Sequence, residues 1–108
     1  MYIFKLFRIE EWLQFEALGK TDGAPIDVMD GFIHFSKANQ VKETAAKHFK
    51  ADKDLILLSC NAENLKPDLK WEISRGGELF PHLYRKLALR DIKARYDIPM
   101  INGLHKFP

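Results

Sequence analysis

The chain has 108 residues, a formal net charge of +2, 46% hydrophobic residues and 30% charged residues. These values are ordinary for a globular protein, the length suits one domain over residues 1–108, and the small charge argues against a nucleic-acid partner. The single cysteine, Cys60, excludes an internal disulfide and fits a reducing compartment. Because the chain has neither an apolar run of about 18 residues nor a signal peptide, we expect a cytoplasmic protein with no membrane partner.

The first half of the chain predicts a strand, a helix and a loop in turn. Aromatic and branched residues favour a strand over residues 2–7, and apolar positions at helical spacing follow over residues 9–18. Residues 20–29 contain Asp-Gly and Pro, which are typical of a loop. A second helix is predicted from residue 36 to about residue 49, with Ser36 as its N-cap.

Residues 30–36, with the sequence Asp-Gly-Phe-Ile-His-Phe-Ser, predict a short strand that is entered by a turn. Because side chains alternate along a strand, Ile33 and Phe35 face one way. His34 and Ser36 then face the other way, together with Phe32. A polar pair on a rigid strand is a suitable beginning for a site, and it is also a common way to complete a structural strand.

The second half of the chain predicts mostly strands. The apolar run at residues 55–58 indicates a strand buried on both faces, in the middle of a sheet. Alternation over residues 69–74 predicts that Leu69, Trp71 and Ile73 face the core and that Glu72 faces away. Residues 87–98 predict one or two strands with a break near residue 90, and residues 99–108 predict an irregular tail. This order of elements favours an α+β fold over a doubly wound sheet.

Four groups of polar or aromatic residues are candidates for a binding site. They are His34 with Ser36, Glu72, the aromatic segment 80–84 with His82 and Tyr84, and a basic cluster of Arg85, Lys86, Arg90, Lys93 and Arg95. A histidine, a hydroxyl and a carboxylate suit a ribose, an aromatic side chain suits a flat ring, and arginines suit phosphates. Together they favour a nucleotide. Each group also has a structural interpretation, such as a helix cap, an exposed sheet face or a charged edge strand.

Other chemistries have weaker support in the sequence. The chain has no Gly-x-Ser-x-Gly elbow, no Walker-type phosphate loop and no Gly-x-Gly-x-x-Gly motif. Its four histidines do not have the His-x-x-x-His spacing of a helical zinc site. We therefore predict no metal site.

The motifs Phe-Ile-His-Phe-Ser at residues 32–36, Lys-Trp-Glu at 70–72 and Phe-Pro-His-Leu-Tyr at 80–84 resemble a bacterial family known as domain of unknown function 952. The resemblance extends over nearly the whole chain, including Trp12 and the helix around residues 44–49. The family is similar to the ADP-ribosyltransferase fold. That resemblance implies two small, mostly antiparallel sheets around a cleft, two main helices, and NAD as the molecule held in the cleft.

The resemblance also implies roles for individual residues. His34 and Ser36 would bind the nicotinamide-side ribose, with His82 as a further binding residue, and Glu72 would orient a hydroxyl or stabilise an oxocarbenium-like centre. Tyr84 would stack on the nicotinamide. One of two arginines, Arg85 or Arg90, would meet the pyrophosphate.

Three functional hypotheses remain at this point. The first is an NAD-binding or nucleotide-binding protein that transfers ADP-ribose, with His34 and Glu72 as its catalytic residues. The second is a non-catalytic module that keeps the cleft for a small molecule or a protein. The third and weaker one is an RNA-end phosphotransferase-like enzyme that uses the basic cluster.

Overall fold

The computed structural model of the chain describes residues 1–108 and has a mixed α+β fold. Its α-helices are α1 (Ile9–Leu18), α2 (Pro25–Asp30) and α3 (Val41–His48). Its β-strands are β1 (Tyr2–Arg8), β2 (Lys20–Thr21), β3 (Ile33–His34), β4 (Leu55–Asn61), β5 (Leu69–Ile73), β6 (Leu79–Leu83), β7 (Leu87–Ala88), β8 (Ile92–Ile98), β9 (Met100–Ile101) and β10 (Leu104–His105). None of the helices has the length and apolar character needed to cross a membrane.

The first sheet has the strand order β1-β4-β8, and all its pairings are antiparallel. The apolar run of β4 lies in the middle of this sheet and is buried on both faces, as predicted. Alternate β4 residues enter two different cores, since Ile56 and Leu58 pack with Phe15 of α1 whereas Leu55 and Leu57 pack with Val41 of α3. The sheet therefore lies between helix α1 on one face and helix α3 on the other.

The second three-stranded sheet has the strand order β3-β6-β5 and is also antiparallel, and β2 and β7 form a separate two-stranded sheet. In its register His34 of β3 lies directly opposite His82 of β6. The two sheets meet where Phe4 of β1 and Ser36 exchange two backbone hydrogen bonds of 2.8 Å. This bridge places the backbone of β1 beside Ser36, which follows β3.

Two predictions about the segments on either side of β3 were wrong. Residues 20–29 are not only a loop, because Pro25 begins helix α2, which ends with Gly31 in the left-handed conformation at φ 85°. The fold therefore has three helices instead of two. Ser36 is not a helix cap, since Gln40 occupies the N-cap position of α3 and the Ser36 side chain lies 3.0 Å from Thr44 Oγ1.

Two further predictions in the second half were also wrong. Strand β5 lies at an edge of its sheet, so Trp71 and Ile73 are exposed and only Leu69 of the predicted inward face packs against the core. The tail contains a hairpin of β9 and β10. The predicted break near residue 90 is confirmed as a 3₁₀ turn, Leu89–Asp91, between β7 and β8.

Candidate functional site

A cavity of about 740 Å³ opens between the two sheets and helices α2 and α3. Its walls are mostly apolar and include four phenylalanines: Phe4, Phe35, Phe49 and Phe80. Its polar lining comes from several elements that are distant in sequence: Lys5, Arg8, Glu11, Asp27, Asp30, His34, Ser36, Thr44, His48, Ser74, Arg75 and His82. This size and this combination of phenylalanine side chains with polar groups from several elements suit a small-molecule site.

Asp27, on helix α2, connects three elements at one end of the cavity. Its side chain is fully buried, and Oδ2 lies 2.6 Å from the Nζ atom of the buried Lys5 on β1. The same carboxylate accepts hydrogen bonds from the backbone N–H groups of Ala24 and His34. Burial opposes its ionisation, but the hydrogen bond from the His34 ring and the Lys5 charge outweigh that effect and lower the pKa of Asp27 to about 2. Asp27 is therefore ionised and holds β1, α2 and β3 together.

The imidazole of His34 lies between two carboxylates. Its Nδ1 atom is 2.6 Å from Oδ1 of Asp27, and its Nε2 atom is 3.0 Å from Oδ2 of Asp30 at the more exposed end of α2. An ionised carboxylate accepts only, so Nδ1 donates to Asp27. The ring is thus fixed in position, and its Nε2 edge meets the cavity beside an exposed acid.

His82 forms a second histidine–carboxylate pair on the neighbouring strand. Its Nδ1 atom lies 2.8 Å from Oε1 of Glu72 on β5, and the same oxygen accepts a 2.6 Å hydrogen bond from the Tyr84 hydroxyl. The hydrogen bonds from Tyr84 and His82 lower the pKa of Glu72, and the Glu72 carboxylate raises the pKa of Tyr84. The Nε2 atom of His82 is buried and has no hydrogen-bond partner. It is therefore the one imidazole nitrogen of the cavity lining that is both buried and without a partner.

The Phe32 ring contacts both imidazoles. Its ring stacks on His82 with a centroid distance of 4.1 Å and lies 4.5 Å from the His34 ring. Tyr84 contacts the same phenylalanine at 5.2 Å. The two imidazole centroids are 5.4 Å apart. These contacts form an aromatic cluster that supports the two imidazoles, while Phe32 and Tyr84 themselves lie outside the cavity lining.

Arg75 lies on the side of the cavity next to helix α3. Its Nη2 atom donates a 3.1 Å hydrogen bond to Thr44 Oγ1, and its guanidinium lies over the Phe80 ring at 5.0 Å. His48 also lines the cavity, and partial desolvation together with the positive charge of Arg75 lowers its pKa. Arg75 is therefore the cation at this end of the site, and His48 lies beside it.

The structure brings together some of the residues predicted from the sequence and leaves others apart. His34, Ser36 and His82 line the cavity, and Glu72 and Tyr84 stand directly behind His82. Five of the predicted residues therefore lie in or next to one cavity.

Arg85 and Arg90 are absent from the cavity lining. Arg85 donates to both carboxylate oxygens of Asp91, at 2.9 and 3.3 Å, and these hydrogen bonds raise its pKa. The other basic residues of the predicted cluster also lie outside the cavity, and Lys93 and Arg95 are exposed on the edge strand β8. Their position on an edge strand matches the structural interpretation of this cluster, in which charged side chains discourage pairing with another strand.

Sequence reasoning missed Lys5, Asp27 and Arg75. For Lys5 a signal was present, because the alternation of β1 puts it on the same face as the buried residues Ile3 and Phe7. A lysine at a core-facing position requires a buried partner. No local pattern identifies Asp27 as that partner, since it lies 22 positions away.

The fold and its oriented histidines define a small α+β protein with a histidine-lined cavity. The chain belongs to the family described as Protein of unknown function (DUF952), whose sequence pattern matches residues 6–95. This confirms the family predicted from the motifs. No curated protein matches the chain.

Two solved structures of protein CC0527 from Caulobacter crescentus are similar to this chain. The crystal structure is 42% identical with a TM-score of 0.94, covering 98% of this chain and 94% of that one. The solution NMR structure is 42% identical with a TM-score of 0.84, covering 96% and 90%.

Proposed function

We propose that the cavity binds NAD or a closely related nucleotide and that the protein transfers ADP-ribose from it. The observation that carries this proposal is the pair of oriented imidazoles, His34 and His82, at the wall of the cavity. Each has its Nδ1 atom beside a carboxylate. Ribose hydroxyls are good partners for nitrogen atoms held in this way, because a fixed imidazole binds without losing rotational freedom.

The apolar wall supports a heterocycle as the second part of the ligand. Phe35, Phe49 and Phe80 are buried residues that line the cavity beside the polar groups. A flat ring that packs against such a wall removes apolar surface from water, at about 25 cal/mol per Å². A nucleoside combines the two features that the cavity offers, since it carries a flat base and a ribose with several hydroxyls.

The proposed reaction breaks the bond between nicotinamide and C1′ of the ribose. Nicotinamide leaves with the bonding electron pair, an acceptor hydroxyl attacks C1′, and the proton of that hydroxyl passes to a base. We assign the base role to Nε2 of His82, because its Nδ1 atom lies beside Glu72 and Nε2 has no protein partner. Glu72 is then a positioning residue rather than a catalytic one, and His34 orients the ribose.

A non-catalytic module is the alternative proposal, and the Asp27 network favours it. Asp27 accepts hydrogen bonds from Lys5, Ala24 and His34. In this proposal His34 serves the fold, and the cavity holds a small metabolite without reaction. Replacing His34 would then lower the melting temperature and leave binding of a ligand unchanged.

A two-dimensional amide NMR titration with NAD tests the proposal, with ADP-ribose and nicotinamide as further ligands. We expect saturable shifts at the segments around His34, Thr44 and His82. His34→Ala should weaken binding about tenfold or more while the spectrum stays that of a folded protein. His105→Ala is the matched control, because His105 contacts only the backbone carbonyl of Asp52 and does not line the cavity.

The two proposals give different results in this titration. Weaker binding by folded His34→Ala and unchanged binding by His105→Ala support the nucleotide proposal. The absence of shifts at millimolar NAD would refute it and leave the binding module. Transfer itself is tested by measuring nicotinamide release from NAD by the unchanged protein and by the His82→Ala variant. The variant should release no nicotinamide while it still binds NAD.

A further inference from the structure

We infer that Arg75 and His48 form an anion subsite at the α3 side of the cavity, which takes a phosphate or pyrophosphate group of the ligand, and that Thr44 positions the Arg75 guanidinium. The inference deepens the proposed function and rests on it where the ligand is a dinucleotide. It also replaces the arginines suggested by the sequence, Arg85 and Arg90, neither of which lines the cavity.

The balance of charges within the lining points to this end of the cavity. Lys5 is neutralised by Asp27 at 2.6 Å, and Arg8 by Glu11 at 3.1 Å. Arg75 is the one lysine or arginine of the lining that is not paired with a lining carboxylate, since its acidic neighbour, Glu43, lies outside the lining. A positive charge that lines a partly apolar cavity attracts an anion strongly, because the charge is poorly screened there.

Arg75 is held in position and still has hydrogen-bond capacity. Thr44 accepts from Nη2, and the Phe80 ring supports the guanidinium plane at 5.0 Å. Nη1 has no hydrogen bond to the protein. A guanidinium with free N–H groups in a fixed plane is well suited to a bidentate contact with phosphate oxygens.

The acidic neighbour of Arg75 does not remove this capacity. Glu43 Oε1 lies 2.8 Å from Nε of Arg75 without the geometry of a hydrogen bond. The Glu43 side chain is 59% exposed and is not part of the cavity lining. The exposure of Glu43 weakens this ion pair, and Nη1 of Arg75 remains without a protein partner.

His48 adds a second group that an anion would contact. It follows Thr44 by four residues on α3, so both side chains lie on one face of the helix. Both line the cavity, and the Thr44 hydroxyl donates to the Gln40 carbonyl and accepts from Arg75, so it positions the guanidinium while His48 meets the anion. Partial burial and the positive charges of Arg75 and Lys47 lower the pKa of His48. A bound anion offsets these charges, so that His48 becomes a better donor when the subsite is filled.

Isothermal titration with inorganic pyrophosphate tests the subsite, and NAD and nicotinamide riboside are titrated in parallel. We expect Arg75→Gln to weaken pyrophosphate binding about tenfold or more. His48→Gln should weaken it about threefold, and this second variant changes an exposed residue that carries little of the fold. Arg90→Gln is the control, since Arg90 is an exposed arginine outside the cavity. Nicotinamide riboside, which lacks a phosphate, should bind all variants equally.

Failure of the subsite can be told from failure of the proposed function. If NAD binds Arg75→Gln and His48→Gln as tightly as it binds Arg90→Gln, the subsite is refuted and the dinucleotide proposal stands. If pyrophosphate binds in an Arg75-dependent way and NAD does not bind, the subsite stands and the dinucleotide proposal is refuted. If neither ligand binds, both are refuted.

Discussion

His34 and His82 face each other across strands β3 and β6, and each has its Nδ1 atom beside a carboxylate of its own. The carboxylates come from opposite directions, Asp27 from helix α2 and Glu72 from the edge strand β5. The two imidazoles differ in their second nitrogen, which meets Asp30 in His34 and no partner in His82. This difference is the reason for assigning orientation to His34 and proton transfer to His82.

The Lys5–Asp27 pair should be important for stability. Asp27→Asn leaves the buried Lys5 ammonium without its counter-charge, and breaking a buried pair by removing one partner costs about 3–5 kcal/mol. Urea unfolding followed by circular dichroism measures the change. Asp22→Asn is the control, because its partner Lys86 is largely exposed. Equal stability of the two variants would refute a structural role for the buried pair.

The same carboxylate should make the stability depend on pH under acid conditions. Burial opposes ionisation of Asp27, but the His34 hydrogen bond and the Lys5 charge hold its folded-state pKa at about 2, below the ordinary value of 3.8. The unfolded chain therefore binds a proton first as the pH falls. The ionised Asp27 carboxylate therefore contributes about 2 kcal/mol to the free energy of unfolding above pH ~4, and this contribution is lost as the pH falls toward ~2. Urea unfolding at pH 5, 4, 3 and 2 measures it, and Asp27→Asn should lose this part of the dependence.

Gly23 should tolerate no side chain, because a Cβ atom there would collide with the Asp27 carboxylate. Gly23 and Gly19 both have a positive φ, at 98° and 82°, but nothing lies near a Cβ atom at Gly19. Both alanine variants carry the cost of the left-handed backbone, about 1–2 kcal/mol. Gly23→Ala should lose about 1–3 kcal/mol more through the collision. Similar melting temperatures for the two variants would contradict this geometry.

Tyr84→Phe should change the ionisation of Glu72 without unfolding the protein. The Tyr84 hydroxyl stabilises the charged carboxylate, so its removal should raise the pKa of Glu72 toward the ordinary range. A pH titration of the Glu72 side-chain carbon signal by NMR measures the shift. Tyr96→Phe is the matched control, since Tyr96 is a similarly exposed tyrosine on β8 with no hydrogen bond to an acid. An unchanged Glu72 titration in Tyr84→Phe would show that the hydrogen bond does not form in solution.

The loss of a large apolar side chain should lower the stability much more at a core position than at a position on the edge strand β5. Leu58→Ala removes a fully buried side chain from the middle of the first sheet and should cost about 2–5 kcal/mol. Ile73→Ala removes a side chain that is 73% exposed on β5 and should change the stability by about 0.5 kcal/mol or less. Chemical unfolding of both variants compares them directly. A large loss in Ile73→Ala would restore the inward orientation that alternation alone predicts.

Local sequence patterns were enough to predict the elements whose packing follows from their own composition. The apolar run of β4 could only be buried on both faces, and the alternation at residues 32–36 placed Ile33 in the core and His34 on the polar side. The motifs around His34, Glu72 and His82 also identified the family. Each of these signals lies within a few consecutive residues.

Only the tertiary structure decided which of the candidate residues share the cavity. Lys5 and Asp27 are 22 positions apart, and Thr44 and Arg75 are 31 positions apart, so their contacts depend on the packing of β1, α2 and α3. The inward face predicted for β5 was wrong because alternation gives two faces and cannot say that the strand lies at an edge, where both are partly exposed. Sequence spacing determines which side chains share one face of one element. Which elements meet depends on strand order and register, and these are set by the burial of the whole chain.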